Sequence, residues 1–300
     1  MTIINYASDG LYPELIALFR VVAHLGAVDR KAIIDLCYPG TPEDVKYLTR
    51  LRGALARWTD LGLFQTEAES LRINEQFGKR KRGESLEELT ARLPAACRTL
   101  MLEPSNCLPL WGESNGTAAD FVRGAAWILA QDIYGFPTSW SDVEPLQNAQ
   151  SADDKKIIEN DVRWNGLRFW MRYLGFATGD SGAFQVDPTI AVKAELPTIF
   201  GARSDLRAQE FITSLAARLP ILDFGQYRHE VERVLNPAAW RAPEKGHLSM
   251  SLSLALRRLA LDNVIRLEGR ADAGTSYRLT GRNYRTWLGF ESVRWIGDPA

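Results

Sequence analysis

The sequence predicts a mainly helical α+β chain with small β-hairpins, and three observations predict it. First, one pattern occurs three times, over 45–74, 155–187 and 248–280: a long helix rich in Leu, Trp and Arg, a tight break, then two short strands around a polar tip. A repeated supersecondary unit constrains the fold before any single residue does. Second, apolar residues upstream of each copy recur at helical spacing. Third, Gly, Pro, Asn and Asp stand between these runs, where turns are expected.

The first unit opens with a helix predicted over 13–25, where Leu15, Leu18, Phe19 and Val22 share one face and Pro13 sits in the first turn. Gly26 ends it, and Asp29 is placed to cap a short helix over 30–37. After Pro39-Gly40, the residues Thr41, Pro42 and Asp44 open a third helix that ends at Gly62. Strands over 63–66 and 71–74 then flank the tip 67–70.

In the second unit Thr117 or Asp120 is placed to cap a helix running to Ile133, and Gly135, Phe136 and Pro137 break it. A short helix is predicted over 141–147. Ser151, with Asp154 three residues on, reads as the cap of a third helix that ends at Gly175. Strands over 176–178 and 183–186 flank the tip 179–182, whose glycines permit positive φ. In the third unit Ser204 or Asp205 is placed to cap a helix over 206–219, and a second helix covers 227–235. A third helix is predicted over 249–261, and strands over 264–268 and 276–279 are predicted to form a hairpin with the tip 269–275.

Three helices and a hairpin, three times over, is the order of the winged helix. The expected organisation is winged helix 1 over 1–76, a basic and helical connector over 77–116, winged helix 2 over 117–202, and winged helix 3 with the C-terminal tail over 203–300. The connector holds a helical piece over 86–102 broken by Pro94, and 188–201 joins the second and third units. The tail, with Trp287, Phe290 and Trp295, is too apolar to stay free and is expected to pack on the third unit.

Composition narrows the function classes. The chain has 300 residues, 46% hydrophobic and 24% charged, with a formal net charge of −1. That balance argues against coating DNA by bulk charge, so any nucleic-acid surface must be local. Cys37, Cys97 and Cys107 form no CxxC pair and read as reduced thiols. With no signal-like N-terminus and no long apolar run, the expected location is cytoplasmic, without membrane contact.

Local basic clusters are the candidate nucleic-acid-binding residues. On the third helix of the first unit Leu48, Leu51, Leu55 and Trp58 make an apolar face, while Lys46, Arg50, Gly53 and Arg57 recur on the opposite one, with Arg52 between. A cationic stripe interrupted by glycine lets a phosphodiester approach closely, as a recognition helix requires; a solvated charged face reads the same. Lys79, Arg80, Lys81 and Arg82 follow the first wing, as phosphate contacts or as a solvated loop. Arg168 and Arg172 lie one turn apart on a helix also carrying Trp164, Phe169, Trp170 and Tyr173, whose aromatics on several faces suggest a packing hub. The stretch 245–285 holds eight cations, among them Arg257, Arg258, Arg266, Arg270 and Arg278, against three acids. Such a patch fits DNA, and equally an acidic protein partner.

No catalytic constellation appears, and no enzyme, cofactor or metal is expected. His24, His229 and His247 lack ligand spacing; no nucleophile elbow or phosphate loop occurs; Asp153-Asp154 and Asp142 with Glu144 read as acids at helix N-termini.

The run 161–176 (DVRWNGLRFWMRYLGF), with the Trp- and Arg-rich tail to Trp295, resembles the DpdG-type accessory proteins of bacterial 7-deazaguanine DNA-modification and phage-defence clusters. That resemblance implies a non-catalytic subunit working beside helicases and nucleases, and it supplies no functional residues. A second resemblance, to the paired winged-helix subunits that bridge condensin-like complexes, implies a protein-interaction scaffold that forms homodimers. The expected function is DNA binding in a modification or antiviral defence system, with the scaffold as the alternative.

Overall fold

The computed structural model describes residues 2–5, 11–38, 40, 45–112, 116–152, 155–179, 183–269 and 276–297. Among the expected features, Pro39, Thr41, Pro42, Asp44, Asp153, Asp154, Asp180, Ser181, Gly182 and Arg270, with the rest of the tip through Thr275, lie outside the described residues. The fold is mainly helical with small antiparallel sheets. The chain divides into two compact units, Met1–Phe121 with Glu159–Leu174 and Val122–Ile158 with Gly175–Ala300. This division cuts across the stretch 117–202, whose helix Asp161–Tyr173 belongs to the first unit.

The first unit begins as its sequence pattern predicts. Helix Tyr12–Leu25 buries Leu15, Leu18, Phe19 and Val22 and stops at Gly26, which takes φ +83°. The Asp29 carboxylate accepts from the amides of Lys31 and Ala32 and caps helix Arg30–Cys37. Helix Val45–Asp60 buries Leu51, Ala54, Leu55 and Trp58, while Leu48 stays half-exposed. Strands β2 (Phe64–Glu67) and β3 (Ser70–Ile73) form a hairpin, and the two-residue strand β1 (Val28–Asp29) adds to it in the order β1–β3–β2. β1 carries no pattern of its own in the sequence; it exists because Val28 pairs with Leu71 and Asp29 with Ser70. The connector breaks at Arg92, between helices Leu86–Ala91 and Leu93–Leu102.

Helix Asp161–Tyr173 forms the aromatic centre of this unit. Its cap is Asn160, whose side chain accepts from the Arg163 amide. The expected cap, Ser151, instead follows helix Trp140–Gln150 and donates its hydroxyl to the Gln147 carbonyl. A cap must sit where the helical φ/ψ begin, and residues 155–160 are not α-helical. Trp164 and Trp170 are each 1% exposed. Trp170 lies 5.4 Å from Trp58, ring centre to ring centre, and donates its Nε1 hydrogen to the Ile3 carbonyl at 3.2 Å. Tyr12 and Tyr173 stack at 4.5 Å. The N-terminal backbone lies against Gly166, where a Cβ would stand 1.9 Å from the Ile4 oxygen. Only glycine admits that approach.

In the second unit the expected hairpin around 179–182 is present as β4 (Ala177–Thr178) and β5 (Gln185–Val186). Three expectations are corrected. Residues 189–200 form a helix with Pro197 inside it, burying Val192, Leu196 and Phe200, where a connector was expected. Burial of its apolar residues outweighs the proline's local cost. Asp205–Arg207 is strand β6, and the following helix spans Ala208–Arg218 with Arg207 at its cap position, so neither Ser204 nor Asp205 caps it. The third hairpin does not form. β7 (Ile265–Glu268) pairs with β10 (Ser292–Trp295), which also pairs with β6, whereas β8 (Tyr277–Thr280) pairs with β9 (Thr286–Phe290). The tail therefore supplies strands, and Phe290, Val293 and Trp295 are buried by doing so.

Several buried polar groups in this unit are matched. Gln147 closes both amide bonds on the Ile158 backbone at 2.8 and 2.9 Å. Asp223 accepts from the Ser249 amide and hydroxyl, and Arg228, 1% exposed, pairs with Glu232 at 2.5 Å. Cys97 and Cys107 are buried and outside any disulfide; burial pushes the Cys37 thiol up to about 11.

Candidate nucleic-acid interface

The structure sorts the candidate cations into those that hold the fold and those that face solvent. On helix Val45–Asp60, Arg50 is the counter-charge of Glu14, a carboxylate only 6% exposed, at 2.9 Å. Glu14 also accepts from the Leu11 amide at the start of helix Tyr12–Leu25. Arg57 pairs with Asp60 at 3.2 Å and is largely covered. Both guanidiniums are thus engaged within the unit.

Lys46 and Arg52 differ: both are exposed, and neither has an ion-pair partner among the described residues. Arg52 borders a groove of about 550 Å³ between helices Arg30–Cys37 and Val45–Asp60, lined also by Arg30, Lys31, Ile34, Leu55 and the acids Asp29 and Asp35. Asp29 is held as the cap, and the rim carries three cations, Arg30, Lys31 and Arg52, against the two acids. Sequence reasoning missed Arg30 and Lys31. Their signal was there: two cations in a helix's first turn oppose the helix dipole, a placement with a local cost.

The basic run is partly fixed. Arg80 donates to the Ala23 carbonyl at 2.9 Å, and Arg92 holds the loop by bonding the carbonyls of Phe77 and Lys79. The side chains of Lys79, Lys81 and Arg82 are exposed, with no ion pair among the described residues. The hairpin tip, by contrast, is acidic: Glu67 and Glu69 are exposed, with Arg72 drawn to Glu67 at 3.2 Å.

Arg168 and Arg172 belong to the aromatic centre. Arg168 lies over Trp164 at 5.3 Å and donates to Asn165, and Arg172 lies over Phe169 at 5.0 Å. Burial, and then the like charge of Arg172, lower the Arg168 pKa. That is the environment of a packed cation, not of one awaiting phosphate.

In the second unit Arg258 pairs with the buried Asp187. Arg257 is exposed and lies over Trp287 at 4.2 Å, and Trp287 meets Tyr134 edge-on at 6.5 Å. Arg266 on β7 and Arg278 on β8 are exposed. The strands that carry them are in different sheets, so no single wing presents them.

Among the described residues, no three His, Cys, Asp or Glu side chains group as metal ligands would, and no helix is long and apolar enough to cross a membrane. A family model described as DpdG-like matches residues 1–273 of this chain. No curated protein and no solved structure matches it.

Proposed function

The chain belongs to the DpdG-like family, and from that premise we propose that it is a DNA-binding accessory subunit, without enzymatic activity of its own, of a DNA-modification or phage-defence system. Membership supports the modification context. The DNA contact is our reading of the first unit, whose order of helix, strand, helix, helix, strand, strand, with sheet order β1–β3–β2, fits a winged helix with Val45–Asp60 as recognition helix.

One observation carries this reading. The cations that hold the fold, Arg50, Arg57 and Arg80, are a different set from the exposed ones, Arg30, Lys31, Lys46, Arg52, Lys79, Lys81 and Arg82. Solvated cations without ion-pair partners among the described residues are available to phosphates, and each neutralised phosphate releases counterions. The acidic tip at Glu67 and Glu69 would be repelled by a duplex, so helix and loop, not hairpin, make the contact.

The test is duplex binding across a salt series for the full chain and for Lys46→Glu with Arg52→Glu. Binding in the micromolar range should weaken steeply with salt, and each lost phosphate contact should reduce the log–log slope by about 0.9. Absence of salt-dependent binding at low ionic strength would overturn the proposal. A second reading, a scaffold that docks other subunits or a second copy, is favoured by exposed Leu36, Val45 and Leu261, at 61%, 65% and 70% exposure. Sedimentation showing a stable dimer, with duplex binding unaffected by the two charge reversals, would support that reading instead.

A further inference from the structure

The second unit contains a cleft of about 420 Å³ that none of the basic surfaces accounts for. Its walls come from the segment after helix Ala119–Leu129, from 237–244, and from the start of helix Met250–Leu261. Phe136, Trp240 and Tyr284 supply aromatic faces; Gln131, Asp132, Arg241, His247 and Thr280 supply polar groups. Trp240 is fixed by donating its indole hydrogen to the Ala130 carbonyl at 3.1 Å.

Two features set this cleft apart from an ordinary surface crevice. Thr280 is 7% exposed, and its hydroxyl has no hydrogen-bond partner among the described residues. The Nδ1 atom of His247 is likewise buried without a partner, while its Nε2 shares a bond with the Thr286 hydroxyl at 3.2 Å. Two stranded polar atoms in one cleft are costly unless something meets them. In addition, Tyr284 stands on a strained backbone: Asn283 and Tyr284 both take positive φ, at +58° and +57°. Such conformations cluster at ligand clamps.

We propose that this cleft binds a nucleotide, base inward. The volume lies within the usual range for small-ligand sites. A wholly apolar ligand would leave both stranded atoms unmet. A nucleobase is apolar on its faces and carries donors and acceptors on its edge, which matches aromatic walls with Asp132, His247 and Thr280 among them. Asp132 has one oxygen engaged by the Tyr134 amide at 3.0 Å, leaving the other to accept from a base N–H. Arg241 lies over Tyr284 at 4.3 Å and pairs with Glu244 at 2.7 Å; half-exposed on the cleft, it is the cation that a phosphate would draw from Glu244.

The proposal does not rest on duplex contacts by the first unit, and its test keeps the two apart. Calorimetric titration of the full chain with each of the four deoxynucleoside monophosphates, and with a short single strand, is compared with Thr280→Val and Asp132→Asn. At least one monophosphate should bind at millimolar concentration or better, and each variant should weaken it about tenfold. Thr280→Val should leave the melting temperature unchanged or raise it, since it removes an unmatched buried hydroxyl; a merely structural threonine would move it down. If the single strand weakens in step with the monophosphate, the base comes from a strand; if the monophosphate alone weakens, the ligand is free nucleotide. Duplex binding and its salt slope should be the same in both variants. No binding of any monophosphate, or equal binding by wild type and both variants, overturns the proposal.

Discussion

The hairpin β2–β3 and the strands β7 and β8 begin from the same sequence pattern and end differently. β2 and β3 are joined across Ala68 and Glu69, and they pair residue by residue from Phe64↔Ile73 to Glu67↔Ser70. β7 and β8 are separated by residues 269–276, and each finds its partner in the tail. A longer loop weakens a local hairpin only slightly by entropy. What decides the outcome is that β10 and β9 offer better apolar partners, burying Phe290, Val293 and Trp295. Alternation along a strand shows which face is buried, and says nothing about which strand lies alongside.

The largest way to test this contrast is to end the chain after Gly281. Removing β9 and β10 leaves β6, β7 and β8 without their pairs, and the second unit should lose its cooperative unfolding transition. Hydrogen exchange should then show unprotected amides along Ile265–Glu268, while the Arg278 and Thr280 amides keep their bonds to Gly246 and Ser253 and β2 and β3 stay as protected as before. Retained protection in β7 would mean that it can pair locally after all.

The first unit has its own distant component, helix Asp161–Tyr173, and it sets a second comparison. Trp170→Ala removes a ring packed on Trp58 and Tyr173 together with the bond to the Ile3 carbonyl. It should cost about 3–5 kcal/mol in urea unfolding. A loss under about 1 kcal/mol would show that the helix is dispensable to the unit's core.

These contrasts explain what the sequence could and could not reveal. Helices Tyr12–Leu25, Arg30–Cys37 and Met250–Leu261 were legible because period and stop agree within a few residues, and Asp29 caps through its side chain where the sequence placed it. Helix Thr189–Phe200 was not, because Pro197 reads as a breaker while burial of Phe200 decides. The return of residues 159–174 to the first unit was not legible either, since Gly166 signals close approach without naming Ile4. For the candidate interface, the stripe on Val45–Asp60 was visible as charge. That Arg50 answers Glu14, thirty-six residues upstream, depends on tertiary contact and leaves no trace in spacing.

That pairing yields a sharper prediction for two cations on one helix. Arg50→Ala strands a buried carboxylate and should cost about 1–3 kcal/mol. Arg52→Ala touches nothing charged among the described residues and should stay within about 0.5 kcal/mol. Stability and duplex binding should therefore separate: Arg50→Ala lowers the first, Arg52→Ala the second. If both variants unfold alike, the division between fold-holding and solvent-facing cations fails.

The smallest effect returns to the hairpin. Ala68 takes φ +54°, a left-handed conformation that its Cβ makes unfavourable. With positive φ at its first central residue and not at Glu69, this two-residue turn is the kind that favours Gly there. Ala68→Gly relieves the strain, which outweighs the unfolded-state freedom that glycine adds. Chemical denaturation should show a gain of about 1 kcal/mol in the first unit. No turn edit can act this way on β7, because its partner is β10 rather than the strand that follows it. An unchanged midpoint for Ala68→Gly would mean that pairing along β2 and β3, rather than the turn, sets the stability of this hairpin.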